Sequence, residues 1–219
     1  MNVGARMDAL ERGIDAAARG DLQVAIQAYT EAIEAKDRLA LAYRHRGHSY
    51  VKIGEWDEAI TDLTEAINLD HSVANPYAGR GYAFARIGDY LSAISDFTEA
   101  LRINPRLADV YLYRGDTYLR MGEWDDWDKA VADFTRAIEV ARDSPHFASQ
   151  GFEWRGYVFW ATGDLEKAMA DLTEAIRLDP KNGSAFYYRA LTHERMGKRR
   201  NAEDDFANAK RLGYEGEDE

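Results

Sequence analysis

Cysteine is absent from the 219 residues, which excludes disulfides and thiolate metal ligation. Histidine is scarce, with five in the chain. His45 and His48 stand at i, i+3 on one helix face, a spacing that suits a metal. No third ligand accompanies them in the sequence, and a zinc site needs at least three protein ligands. Asp125, Asp126 and Asp128 lack the central glycine of a calcium loop. No glycine precedes a Lys-Ser or Lys-Thr pair, so there is no phosphate cradle. The expectation is a chain without metal, cofactor or catalytic constellation, and therefore not an enzyme.

Long apolar runs are also missing. The first twenty residues include Asp8, Glu11, Arg12 and Asp15, no later stretch is long enough to cross a bilayer, and no membrane partner is expected. That pattern points to the cytoplasm, or to the periplasm if a leader has been removed. Bases are outnumbered 28 to 39, giving a formal net charge of −11. Nucleic acid is therefore not an expected partner, because phosphate binding draws on clustered Lys and Arg.

What the chain does have is a period. Glycine recurs at Gly13, Gly47, Gly81, Gly115 and Gly156, with Ala190 in the sixth place, at steps of 34, 34, 34, 41 and 34 residues. Three further columns keep nearly the same step. They run from Gly20 through Gly54, Gly88, Gly122 and Gly163 to Gly197, from Ala25 to Ala202, and from Ala32 to Ala209. Six copies of one unit fill the chain.

Each copy reads as two helices joined by a tight turn, as in Ala40 to Ile53, Gly54-Glu55, then Trp56 to Asp70. Tyr43, Gly47 and Tyr50 lie on one stripe of the first helix, and Ala59, Leu63 and Ala66 on one stripe of the second. Gly47 falls mid-helix, where glycine costs about 1 kcal/mol against alanine, so its recurrence predicts a contact with no room for a side chain. Gly54 suits a helix C-cap with positive φ.

In repeats two to six an aromatic residue stands four residues ahead of the repeat glycine or its alanine substitute, at Tyr43, Tyr77, Tyr111, Phe152 and Phe186, while Ala9 takes that place in repeat one. A second glycine follows seven residues after the first, then two alanines seven apart. Asn104-Pro105 and Asp179-Pro180 close two of the units. In these features the chain resembles the tetratricopeptide repeat (TPR) family, with six tandem repeats over roughly residues 6 to 212. The resemblance implies an all-α fold, a right-handed superhelical solenoid of helix-turn-helix repeats whose first helices line a concave groove. It also implies work done mainly by binding peptides or proteins.

In a solenoid each repeat contacts only its neighbours, so one domain is expected, with repeats at about 6–39, 40–73, 74–107, 108–148, 149–182 and 183–212. Residues 1–5 form an N-terminal segment and 213–219 an acidic tail. The second helices offer Ile26, Ile60, Ile94, Val131 and Met169 in one column, and Ile33, Ile67, Leu101, Ile138 and Ile176 in another. In repeat six these become Glu203 and Lys210, the polar outer face that a solenoid end needs, and the array reads as complete there. The period breaks twice. Three residues are added between Gly122 and Ala130, and four around Ser144 to Phe147, about one helical turn. Loop drift and a protruding Trp124 loop that touches a partner are both open.

Arginine precedes the repeat glycine throughout (Arg12, Arg46, Arg80, Arg114, Arg155, Arg189), and an aspartate follows the first alanine by three in repeats two to six (Asp62, Asp96, Asp133, Asp171, Asp205). This predicts a ladder of Arg-carboxylate pairs that sets the register of the repeats.

The first-helix positions expected to wall the groove are Arg44, His45, His48 and Lys52, then Tyr82 and Arg86, then Tyr113 and Arg120, then Trp154, Tyr157, Trp160 and Tyr188. Lys52, Arg86, Arg120 and Arg195 share one column, giving local positive charge in an acidic chain. The aromatics offer flat contact area with few rotors to freeze. A peptide or protein with acidic and aromatic groups fits such a wall. Some TPR proteins hold a chaperone's C-terminal carboxylate with Lys, Arg and Asn, but the matching places here are Arg44, His48, Gly79, Asp109 and Tyr113, with an acid where a Lys is needed. The reading is a bacterial-type interaction scaffold. A self-associating module and an accessory subunit of a larger complex are the alternatives.

Overall fold

The computed structural model describes residues 7–122, 124–141, 143–214 and 216, with the side chains of Trp124 and Asp125 excepted. Among the described residues there are twelve helices and no strand. Two compact units divide the chain, the first ending at Pro105 and the second starting at Arg106. The first contains α1 (Ala9–Arg19), α2 (Leu22–Glu34), α3 (Leu39–Ile53), α4 (Trp56–Leu69), α5 (Ala74–Arg86) and α6 (Tyr90–Ile103). The second contains α7 (Ala108–Met121), α8 (Trp124–Val140), α9 (Pro145–Thr162), α10 (Leu165–Leu178), α11 (Gly183–Arg195) and α12 (Arg199–Arg211). In each unit the helices form three hairpins. Each hairpin packs on the next through the second helix of one and the first helix of its successor, as α4 does on α5 and α10 on α11.

Among the described residues the hairpin turns share one construction. At Gly54 φ is +83°, and the turn closes with Glu55 N–H donating to the Tyr50 carbonyl at 3.1 Å and Gly54 N–H to that of Val51 at 3.3 Å. This is the left-handed C-cap that a residue without Cβ adopts at least cost. Close packing of the two helices explains the other glycine column. A Cβ added at Gly47 would lie 2.7 Å from Leu63 Cγ. The alanine columns complete the seam, since Ala25, Ala59, Ala93, Ala130 and Ala168 are all fully buried. One large side chain per hairpin fills the remaining space. Tyr29, Leu63, Phe97, Phe134 and Leu172 recur at that place with at most 1% exposure.

Both breaks in the period are helical. The first lengthens α8 to 17 residues, against 14 in α4, α6 and α10, and the second lengthens α9 to 18, against 13 to 15 in α3, α5, α7 and α11. A protruding loop at Trp124 is therefore corrected: the backbone is already helical there, because the added residues continue α8 by about one turn. The Trp124 side chain lies outside the described residues, as do the N-terminal segment 1–5 and tail residues Glu215, Glu217, Asp218 and Glu219. In repeat six, Glu203 and Lys210 are exposed. Tyr214 packs edge-on against Tyr187 with ring centroids 5.4 Å apart.

Candidate functional site

The arginine ladder forms as the spacing predicts. Arg46 donates through Nε and Nη2 to the two carboxylate oxygens of Asp62 at 2.7 and 2.8 Å. Arg80 with Asp96, Arg114 with Asp133, Arg155 with Asp171 and Arg189 with Asp205 repeat this fork within 2.7–2.9 Å. The Asp side chains are 4–10% exposed and the Arg side chains 17–20%, so the pairs are shielded from water on one side. A third partner escaped the sequence reading. Arg46, Arg80 and Arg155 each donate Nη1 to a threonine of the preceding hairpin, Thr30, Thr64 and Thr135, at 2.9 Å. The signal was present, since Thr30, Thr64, Thr98, Thr135 and Thr173 follow the period. Repeat one has Ala28 in place of the aspartate, and Arg12 pairs with Glu31 instead. The ladder fastens hairpin to hairpin and uses up these cations internally.

In the first unit, α3 presents Arg44, His45, His48 and Lys52. The His45 ring stacks on Tyr29 at 5.6 Å, and burial, with Arg44 and His48 adding to it, lowers its pKa to about 4. His48 is held below its ordinary value, chiefly by burial. Its Nδ1 sits 2.8 Å from the Arg44 carbonyl, which can only accept, so Nδ1 carries the proton. Both imidazoles are therefore neutral at pH 7. The positive charge on this helix face is that of Arg44 and Lys52, and Lys52 is exposed. On α5, Arg86 lies 5.2 Å over the Trp56 ring and 6.0 Å over Tyr82, and donates to the Tyr82 hydroxyl at 3.3 Å. Trp56 begins a second helix, α4, and so lies outside the first-helix positions expected to wall the groove.

In the second unit, Tyr113 is 40% exposed on α7, and Arg120 donates to Asp116 at 2.8 Å. The rings on α9 form a chain. Trp154 meets Phe134 at 6.4 Å and Tyr157 at 6.2 Å, and Tyr157 meets Trp160 at 6.0 Å. Arg195 from α11 lies 4.4 Å over the Trp160 ring and donates to the Trp160 carbonyl at 2.6 Å. Trp154, Tyr157 and Trp160 are half-buried. Tyr188 is corrected: it is 9% exposed, packed at 4.9 Å against Tyr157 and 5.9 Å against Trp160 in a cluster with Ala168, Leu172 and Ala185, and so it supports the shelf from beneath.

Among the described residues no group of three or more His, Asp or Glu side chains is arranged so that it could hold a metal ion. No helix among them is long and apolar enough to cross a membrane.

Helix pairs in this register, each closed by the same glycine turn and ladder, match a known profile. The TPR repeat profile fits residues 47–88, 81–122 and 156–197, more than half of the chain. The chain belongs to the TPR repeat family. Over 87 residues it is 32% identical to protein bimA of Emericella nidulans, a match spanning 40% of this chain and 10% of that relative. Solved TPR-like structures share the fold. MamA from Desulfovibrio magneticus RS-1 superposes with a TM-score of 0.68 at 20% identity, covering 80% of this chain and 96% of that one. YrrB, described as a TPR protein with an unusual peptide-binding site, gives 0.66 at 22% identity over 85% and 93%. The Cut9–Hcn1 hetero-tetramer of APC/C gives 0.75 at 16% identity, over 93% of this chain and 39% of that one. As a TPR chain this protein has the architecture of an interaction scaffold.

Proposed function

We propose that this TPR chain binds a peptide or helix of a partner protein on the groove-facing side of its first helices, without chemistry of its own. The observation that carries the reading is the shelf of Trp154, Tyr157 and Trp160 with Arg195 stacked on its edge. Half-buried rings present wide contact area at little entropic cost, and an arginine fixed over an indole offers its remaining N–H groups to a carboxylate. In the first unit, Arg86 on Trp56 and Tyr82 repeats the same pairing of cation and ring. The partner segment therefore carries acidic and aromatic side chains.

An array of acidic, aromatic-bearing peptides screened against the protein, followed by calorimetry on the best binder, tests this. Trp154→Ala or Tyr157→Ala lowers affinity by about 2 kcal/mol, the hot-spot range, with helicity unchanged. Affinity weakens with added salt because the cations are near the surface. Binding unchanged in both variants removes the shelf from the account. Sedimentation separates this reading from self-association, since a monomer at every concentration leaves the shelf to another protein.

A further inference from the structure

Arg86, Arg120 and Arg195 hold one place in the repeat, five residues after Gly81, Gly115 and Ala190. In repeat four that arginine has its anion within the helix, since Arg120 Nε donates to Asp116 Oδ2 at 2.8 Å, one turn back. In repeats three and six the residue one turn back is Tyr82 or Leu191, which carries no charge. Arg86 and Arg195 are both exposed, and neither is ion-paired among the described residues.

Each rests instead on a tryptophan of the preceding hairpin. Arg86 lies 5.2 Å over Trp56, two residues past the Gly54 turn, and Tyr82 stands edge-on to the same indole at 6.0 Å. Arg195 lies 4.4 Å over Trp160, three residues before the Gly163 turn, with the Tyr157 ring 6.0 Å from that indole. One hydrogen bond pins each guanidinium in place, to the Tyr82 hydroxyl and to the Trp160 carbonyl. The remaining N–H groups have no anion to meet, and the ring fixes the plane in which a carboxylate would approach their edge. Each set is complete within one compact unit, with Trp56, Tyr82 and Arg86 in the first and Tyr157, Trp160 and Arg195 in the second.

We propose that these sets are two separate carboxylate seats, so that the chain holds two acidic segments at once, one on each unit. The occupant is indicated by Arg120, which shows what an arginine of this column takes when a carboxylate is within reach. The inference rests on the groove reading and extends it: the shelf contains one seat, and Trp56, outside the expected wall, supplies the other. The matching partner presents acidic side chains in two stretches.

The test titrates the full chain, isotope-labelled at its tryptophans, with the capped tripeptide acetyl-Glu-Phe-Glu-amide at low ionic strength, followed by NMR. The expected result is saturable movement of two indole N–H signals, those of Trp56 and Trp160, and no movement with acetyl-Gln-Phe-Gln-amide, which lacks the carboxylates. Arg86→Gln weakens the Trp56 response about tenfold or more and leaves the Trp160 curve as in the parent, and Arg195→Gln does the reverse. Both side chains are exposed, and unchanged amide signals away from the two rings check that the variants fold. Movement of one indole alone, or loss of both responses in either variant, overturns the two-seat proposal and leaves the groove with a single site. If neither indole moves while Trp154→Ala and Tyr157→Ala still weaken a partner peptide, carboxylate seating is wrong and the shelf binds through its rings. Failure of those variants as well removes the groove reading itself.

Discussion

Asn182 donates its side-chain amide to the buried carboxyl of Glu153 at 2.7 Å, and Ser184 closes the ring between them. Asn182 Oδ1 also accepts from Ala185 N–H and from Ser184 Oγ. Ser184 has one hydroxyl proton. If it donates to Asn182, Glu153 must supply the proton for its own contact with Ser184. Burial raises the Glu153 pKa and Asp179 raises it further, against the lowering effect of the Ser184 and Asn182 hydrogen bonds. A raised folded-state pKa means stability is fully present below the ordinary glutamate value and is lost as pH rises through the raised one. Thermal melts across that range should show Glu153→Gln losing less stability than the parent as pH increases. Parallel curves for the two proteins would refute a shared proton.

His45 gives the opposite slope. Its pKa is lowered to about 4, so its contribution is complete above about 6.5 and drains away as pH falls from there toward 4. Replacing it with Gln should flatten that acid limb in a denaturant series, at some cost in packing against Tyr29.

Cutting the ladder should cost far more than cutting a surface pair. Asp62→Ala leaves the Arg46 guanidinium partly buried without its anion, and a loss of about 3 kcal/mol is expected. Arg199→Ala removes a partner of Glu203 in an exposed pair and should fall within about 0.5 kcal/mol of the parent. Urea midpoints measure both. Similar values for the two would mean the ladder adds no more than ordinary surface charge.

Gly47→Ala sets two effects against each other. Alanine is favoured in a helix interior by about 1 kcal/mol, yet its Cβ would lie 2.7 Å from Leu63 Cγ and 3.2 Å from Asp62 Cβ. Overpacking of this kind costs about 1–3 kcal/mol. A net loss of stability is expected, and in a Leu63→Ala background, itself destabilised by the lost core side chain, Gly47→Ala should cost less than it does in the parent. A stabilised single variant would show that the hairpin seam gives way easily.

The repeat and its ladder were legible in the sequence because one geometry recurs, so that each column reports a single environment six times. Gly47 with its forbidden Cβ and Arg46 with Asp62 were readable for that reason. Tyr188 was not. Its ring occupies a position that is His45 in repeat two and Gly79 in repeat three, and burial there depends on what the neighbouring helix brings, in this case Tyr157 and Trp160. The neutrality of His45 likewise follows from Tyr29 lying against it, a contact between helices that no spacing within α3 announces. Arg86 on Trp56 was not legible because the two belong to different hairpins, and Arg120 in the same column takes a carboxylate instead.

The hairpin of α7 and α8 joins Arg114 to Asp133 across 19 residues where four other hairpins span 16, with the same forked bonds. Extra length has therefore been taken up at the tip beyond Gly122, and the walls have kept their register. That tip is a natural splice point. Foreign sequence added there in whole helical turns should leave every rung beneath it intact, so the chain can be lengthened at its margin without being rebuilt at its centre.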